Sequence, residues 1–197
     1  PAKAAYFHNS INGYHAAKLR RFNELYDFYI SKNNLNVLNM LNTKYIIADD
    51  DKGNVFPYIN EDANGNAWFV AELEKVENAN EEIISLGKIN TKKEAVSQEN
   101  FIKSLGLKLN YSAKGDIKLI SYQPNNLVYQ SETSAEEFAV FSEIYYPKGW
   151  NAYIDGQLKE HASVNYVLRG LTIPAGKHKI EFKFEPVTYT NGNNIAT

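Results

Sequence analysis

The chain has 197 residues, of which 44% are hydrophobic, and this is enough to bury the core of one large or two small domains. Lys and Arg number 21 against 23 Asp and Glu, so the net charge of -2 excludes a strong overall attraction to nucleic acid or anionic lipid. The absence of cysteine excludes disulfide bonds, thiolate metal sites and a cysteine nucleophile.

The N-terminal part of the sequence predicts an amphipathic helix over residues 14–30. Four apolar side chains recur there at the spacing of one helical face: Leu19, Phe22, Tyr26 and Tyr29. Asn12-Gly13, just before this helix, can stop any earlier structure and offer a cap. The leucine spacing predicts a second, short helix over residues 34–42, which should lead into a buried strand over residues 45–48.

The next part of the chain alternates turn signals with apolar runs. Asp, Asn and Gly cluster at residues 49–54 and again at residues 64–66, and each cluster predicts a turn because these residues tolerate the backbone angles that turns need. The apolar run that follows predicts one strand over residues 67–76, with Trp68 in the core.

A capped helix and a polar link complete the first half. The helix is expected over residues 80–86, capped by Asn78 or Asn80. A short strand near residues 95–96 follows. The polar stretch at residues 108–115 is the predicted boundary between two domains.

From residue 116 onward the pattern is typical of an all-β domain. Strands are predicted at residues 117–122, 127–132, 138–145, 150–154, 163–173 and 177–184, and Asp155-Gly156 predicts a tight turn after the fourth of them. The last of them alternates apolar with charged residues, as in a sheet with one buried and one solvated face. Two packed sheets bury such strands most simply. The predicted fold class is therefore α+β: a mixed helix and strand region at residues 1–115, followed by an antiparallel, jelly-roll-like β-sandwich at residues 116–197.

The sequence contains no evident catalytic arrangement. No two histidines show the i, i+4 spacing of a zinc protease motif, and no serine lies in a nucleophile-elbow frame. Neither a metal nor a cofactor is predicted. Two carboxylate pairs, Glu81-Glu82 and Glu136-Glu137, are expected on solvated surfaces, where adjacent residues point in different directions.

Two places hold candidate ligand-binding residues. On the strand at residues 150–154, Trp150 alternates with core residues and is predicted to be buried, whereas Tyr153 and Asp155 fall on the other face. Near the N terminus, aromatic, histidine and cationic side chains crowd together, among them Tyr14, His15, Lys18 and Arg21. This mixture could hold a phosphorylated or anionic sugar carrier. A solvated basic helix face docked on the sandwich is the alternative.

Four stretches of the sequence resemble one known family. They are YFHNSINGYHAAKLRRFNELYDFYI, LNVLNMLNTKYIIADD, GNAWFVAELEKVENANEEIISL and FSEIYYPKGWNAYIDG with the following NYVLRGLTIPAGKHKIEFKFEP. They are similar, in this order, to the C-terminal extracytoplasmic region of YfhO-family bacterial membrane proteins, particularly those of Bacteroidota. The resemblance spans nearly the whole chain.

The resemblance implies a polytopic parent similar to C-type glycosyltransferases, which use lipid-linked sugars on the outer face of the cytoplasmic membrane. Their catalytic acidic residue usually lies in an early loop that is absent from this sequence, so no turnover is expected from this chain. The implied role is that of a periplasmic accessory domain that positions a glycan or envelope-polymer acceptor. The implied partners are the membrane body of the parent and a glycan or polyprenyl-phosphate-linked sugar, with no nucleic acid.

The residues that match the family near the N terminus are expected to face the membrane-side active site: Ser10, Gly13, Tyr14, His15, Lys18 and Arg21. Two other roles stay open, a structural module that braces the membrane part and an independent carbohydrate-binding module. Glycan binding requires exposed aromatic residues beside polar neighbours in a groove, whereas bracing requires an exposed apolar patch.

Overall fold

The computed structural model describes residues 10–11, 19–49 and 52–186. The start of the first predicted helix, with Tyr14, His15 and Lys18, lies outside these residues. The helices are α1 (Arg20–Phe28), a 3₁₀ turn (Ile30–Lys32), α2 (Leu35–Met40), α3 (Ala79–Leu86) and α4 (Glu99–Leu105). The strands are β1 (Tyr45–Asp49), β2 (Val55–Ile59), β3 (Ala67–Val70), β4 (Glu72–Val76), β5 (Glu94–Gln98), β6 (Asp116–Gln123), β7 (Asn126–Thr133), β8 (Glu137–Ile144), β9 (Trp150–Ile154), β10 (Gln157–Lys159), β11 (Ala162–Val164), β12 (Leu168–Ile173) and β13 (Gly176–Phe184).

Two antiparallel sheets form the centre of the molecule. The first has five strands in the order β10-β9-β13-β7-β6, and the second has four in the order β11-β12-β8-β3. Apolar side chains from both sheets meet in one buried cluster, which includes Leu127, Tyr129, Phe141, Leu171 and Phe182. The chain is thus mostly β, with a few helices, as the predicted class requires in outline. The jelly-roll connectivity stays a prediction.

A third layer covers the other face of the four-stranded sheet. It contains the helices and a parallel pair, β4 and β5, which α3 connects as a crossover helix. Leu25 of α1, Met40 of α2 and Leu86 of α3 are fully buried there, in the same cluster as Phe138 and Val140 of β8. The edge strand β3 pairs with β8, so the chain before residue 115 also contributes to the central sheets. The domain boundary at residue 115 stays a prediction.

Two local predictions are confirmed because short-range chemistry decides them. Asn78 caps α3, since its Oδ1 accepts hydrogen bonds from the backbone N–H of Asn80 and Glu81 at 3.0 and 3.1 Å. Asp155 and Gly156 have φ values of 50° and 80° and link β9 to β10 in a two-residue turn, as the Asp-Gly signal predicts.

Two long predicted strands are wrong, because each is two strands. The strand predicted over residues 67–76 breaks at Ala71, whose N–H bonds to Lys93 O at 2.7 Å, so that β3 pairs with β8 while β4 pairs with β5. The strand predicted over residues 163–173 breaks because Asn165 and Tyr166 have φ values of 49° and 72°. Strands β2 and β10 and helix α4 were not predicted at all.

Candidate functional site

The hairpin formed by β1 and β2 is the most exposed apolar part of the described chain. Its two strands pair only with each other among the residues that the structure describes. Six large apolar side chains remain 44–66% exposed there: Tyr45, Ile47, Val55, Phe56, Tyr58 and Ile59. The prediction of a buried strand over residues 45–48 is therefore wrong in its burial. An apolar run fixes the preference for a strand, but only the tertiary packing decides whether a second layer covers it.

The two faces of the hairpin differ in what covers them. Cross-strand pairing places Tyr45 opposite Ile59 and Ile47 opposite Pro57, and Val55 completes the same face. We call these five residues the hairpin face. The opposite face includes Ile46, which is partly buried and packs against the hydrophobic core of the helical layer, and it also carries Phe56 and Tyr58, which remain 44% and 57% exposed. The hairpin face therefore points away from the body of the molecule.

Asp49 is the only charged residue within the two strands, and Asp50, Asp51 and Lys52 follow it in the sequence. The connection between the strands is thus acidic. Contiguous exposed apolar surface is uncommon on soluble proteins and marks contact sites for proteins or membranes. The hairpin is the strongest candidate interaction surface of the described residues.

Arg21, a predicted ligand-binding residue, takes part in a contact that joins distant segments. Its Nη1 donates to Glu82 Oε2 at 3.1 Å and to Tyr166 O at 2.9 Å, and its guanidinium carbon lies 4.8 Å from the centroid of the Tyr166 ring. Glu82 also accepts from Gln98 Nε2 at 2.7 Å and from Tyr166 N at 3.0 Å. Arg21 is therefore held between α1, α3 and the β11–β12 turn. Its role in ligand binding stays a prediction.

The prediction that both carboxylate pairs are solvated is wrong for one residue of each pair. Glu82 is fully buried, and burial raises its pKa, against the opposing effects of Gln98 and Arg21. Glu137 is also fully buried, where it accepts hydrogen bonds from Ser112 Oγ and from Ala113 N at 2.8 Å. Both corrections have one cause: a buried carboxylate is tolerated where backbone and side-chain donors surround it, and these donors come from distant parts of the chain.

Tyr153 and Asp155 lie at one end of the five-stranded sheet. Tyr153 alternates with core residues and is partly exposed; its Oη donates to Glu185 Oε2 at 2.7 Å, and Lys183 Nζ lies 4.9 Å from its ring centroid. Asp155 Oδ1 accepts from Lys179 N at 2.9 Å, and its Oδ2 lies 2.6 Å from His178 Nδ1. This contact lowers the pKa of Asp155 and raises the pKa of His178. Asp155 thus ties the β9–β10 turn to β13.

The described candidates do not form one site. Arg21 belongs to the helical layer, Tyr153 and Asp155 belong to the five-stranded sheet, and Ser10 lies exposed near the start of the described chain. Tyr14, His15 and Lys18 lie outside the described residues. Trp150, predicted to be buried, is partly buried and packs against the core between the sheets.

The sequence analysis did not identify the buried cluster around Arg169. Arg169 lies between Trp150 and Phe182, with its guanidinium carbon 4.3 and 4.9 Å from the two ring centroids, and its Nε donates to Ile144 O at 3.0 Å. Burial lowers its pKa to about 10 and lowers the pKa of nearby His161 to about 4. The only signal in the sequence is one arginine within an apolar strand, and that signal does not identify its partners.

No arrangement in the described part of the chain suggests catalysis. Among those residues, no group of three or more His, Asp or Glu side chains is placed to hold a metal ion. None of the helices in the same residues is both long and apolar enough to cross a bilayer.

Comparison with known proteins adds one finding. A family described as "Bacterial membrane protein YfhO" matches residues 8–195, which is nearly the whole chain. No curated protein matches the chain. No solved structure matches it either.

Proposed function

Because this chain belongs to the YfhO family of bacterial membrane proteins, we propose that it is an accessory domain held against the membrane-embedded part of its parent protein. The observation that carries this proposal is the hairpin face, formed by Tyr45, Ile47, Val55, Pro57 and Ile59. Covering it would remove several large apolar side chains from water, and each fully buried side chain of this size contributes about 1.5–3 kcal/mol. Assembly with the membrane-embedded part of the parent protein would bury such a surface.

The hairpin suits a protein partner better than a lipid bilayer. A two-stranded sheet leaves backbone N–H and C=O groups unpaired along its outer edges, and hydrocarbon cannot satisfy them. The acidic connection that begins at Asp49 would also be repelled by anionic lipid headgroups. Both features favour contact with the protein part of the membrane assembly.

A substitution on the hairpin face tests this proposal. In the intact membrane protein, the side chain of Tyr45 is expected to be protected from hydroxyl-radical footprinting, whereas it reacts freely in the isolated domain, where it is 65% exposed. Ile47→Asp places an unpaired charge in the contact and should abolish this protection. The stability of the isolated domain should change by less than about 0.5 kcal/mol, because the site is exposed.

Leu158→Asp is the matched control. Leu158 is 63% exposed, as is Ile47, but it lies on β10 at the edge of the five-stranded sheet. This variant should keep the protection of Tyr45. Equal footprinting of Tyr45 in the isolated domain and in the intact protein would refute docking through the hairpin.

We further propose that the domain positions a glycan or envelope-polymer acceptor on the extracytoplasmic side for a parent that transfers sugars from lipid-linked donors, without catalysing the transfer itself. Tyr153 supports this role, since its partly exposed ring lies beside Asn151, Lys183 and Glu185, and Asn151 Nδ2 donates to Glu185 at 2.9 Å. Aromatic rings beside hydrogen-bonding groups are typical of sites that bind small polar ligands. The N-terminal residues Ser10, Tyr14, His15, Lys18 and Arg21 remain proposed contacts of the phosphorylated lipid carrier of the donor sugar.

A glycan-array and envelope-polymer screen of the purified domain tests acceptor binding. Tyr153→Ala should weaken binding of any retained glycan at least about tenfold, the equivalent of 1.4 kcal/mol. Tyr58→Ala on the hairpin is the control and should leave that binding unchanged. A screen with no specific binding would contradict acceptor positioning by this domain. It would not affect the docking proposal, which the footprinting experiment tests separately.

A further inference from the structure

The hydrogen-bond pattern of the hairpin shows which backbone groups point outward. Asn60 N donates to Lys44 O at 2.9 Å, so residues 44 and 60 form a hydrogen-bonded pair. Such pairs alternate along an antiparallel ladder, and the next ones are therefore Ile46 with Tyr58 and Ala48 with Phe56. The residues between them turn their N–H and C=O groups away from the partner strand.

The two outer edges of the hairpin are therefore unequal. On β2, the outward residues are Val55, Pro57 and Ile59, and proline has no N–H to donate at the middle of this edge. Proline is one of the residues with which proteins protect sheet edges against pairing. On β1, the outward residues are Tyr45, Ile47 and Asp49, and each has both an N–H and a C=O. No strand within the described residues pairs with this edge.

We propose that the outer edge of β1 pairs with an extended segment of the membrane-embedded part of the parent protein, which adds a third strand to the hairpin. This inference rests on the proposed docking function and specifies its geometry. Strand addition supplies main-chain hydrogen bonds to an exposed edge, and the alternating side chains of the added strand provide selectivity. A third strand also stabilises a two-stranded sheet, which is marginal in water by itself.

The hairpin defines the chemistry of the added segment. The side chains that the segment places beside Tyr45 and Ile47 extend the hairpin face and must be apolar. Near Asp49 the acidic connection between the strands favours a Lys or Arg on the partner. The segment is therefore a short strand of alternating apolar residues with a basic residue at one end.

Residue-resolved amide hydrogen exchange tests the pairing, because it reports the backbone groups themselves. In the isolated domain, the amides of Tyr45, Ile47 and Asp49 should exchange faster than those of Ile46 and Ala48, which bond to β2. In the intact membrane protein, the three outward amides should slow at least about tenfold, which corresponds to 1.4 kcal/mol of protection.

The β2 edge provides the internal control. The side chains of Val55 and Ile59 also lie on the hairpin face, but their backbone N–H groups point outward from the β2 edge. Exchange of these two amides should therefore stay fast in both preparations. General shielding by the membrane or by detergent would slow both edges alike, and this result would overturn strand addition. Unchanged exchange at Tyr45, Ile47 and Asp49 would overturn it as well.

A pair of proline substitutions tests the same inference without exchange data. Ile47→Pro removes an outward N–H on the β1 edge, directly opposite the native Pro57, and so preserves the ladder with β2. It should abolish the protection of Tyr45 in the intact protein. Val55→Pro removes an outward N–H and a similar exposed side chain on the β2 edge, and it should keep that protection. The isolated variants should unfold at the same urea concentration as the unmodified domain.

The two proposals fail in different ways. If footprinting shows Tyr45 protected but both proline variants keep that protection, docking through the hairpin face stands and strand addition is wrong. If Tyr45 is never protected, both proposals fall. If the outward β1 amides are protected in the isolated domain as its concentration rises, a second copy of the chain occupies the edge, and the proposed partner is wrong.

Discussion

Phe182→Ala is expected to lower the free energy of unfolding by about 3–5 kcal/mol, the range for deleting a fully buried aromatic ring. The Phe182 ring is fully buried at the centre of the core between the two sheets. Its centroid lies 4.9 Å from that of Phe141 and 5.6 Å from that of His161, and the Arg169 guanidinium lies 4.9 Å away. Alanine would leave a cavity and remove one of the two rings that enclose a buried charge.

Phe56→Ala is the matched control for this prediction. The substitution is chemically the same, but Phe56 lies on the exposed hairpin and is 44% accessible, so the change in unfolding free energy should stay within about 0.5 kcal/mol. Urea denaturation followed by circular dichroism measures both variants. Similar losses in the two would mean that the core between the sheets does not dominate the stability of the domain.

Acidification from pH 6.5 to pH 4 is expected to remove about 3 kcal/mol of stability through His161 alone. Burial and the nearby Arg169 charge lower the pKa of His161 in the folded protein to about 4, from an ordinary value of 6.5. The unfolded chain therefore binds a proton first as the pH falls. The contribution of His161 is complete above pH 6.5 and is lost progressively down to about pH 4.

Other groups change stability with the opposite sign, within this pH range or just above it. Asp155 raises the pKa of His178, so this pair adds stability below pH 6.5 and loses it as the pH rises through the folded pKa. Burial raises the pKa of Glu143, which likewise favours the folded state in acid. The comparison of unmodified protein with His161→Gln separates these effects, because glutamine stays neutral throughout.

Urea unfolding at pH 7, 5.5 and 4.5 provides the measurement. The unmodified protein should lose stability relative to His161→Gln as the pH falls, and this relative loss should increase at each step from pH 7 to pH 4.5. A constant difference between the two proteins would show that His161 titrates normally and that burial does not hold it neutral.

The parts of the fold that were predictable from sequence depend on neighbouring residues. The Asp155-Gly156 turn, the Asn78 cap and the final strand each have a signal within a few positions. The break at Ala71 has no such signal, because it arises where the chain exchanges β8 for β5 as its pairing partner. Periodicity predicts that a segment is extended, and it does not name the sheet.

The candidate site was less predictable for the same physical reason. Tyr45 and Ile47 have the composition of a core strand, and their exposure follows from the absence of a covering layer in the described structure. Arg169 and Glu82 are the opposite case, because charged residues are expected in water and yet both are buried. Their partners lie far away in the chain, so the sequence does not indicate them. The contact between Glu82 and Tyr166, for example, joins residues 84 positions apart.

The same Glu82 contact has a mechanical consequence. One carboxylate ties α1 through Arg21, β5 through Gln98 and the β11–β12 turn through Tyr166. Removal of one partner from such a buried group leaves the remaining charge unpaired, which is strongly destabilising. The three segments are therefore expected to separate together. Force applied to α1 would therefore reach the four-stranded sheet through this contact. The domain would transmit the force as one rigid unit, and its layers would not detach one after another.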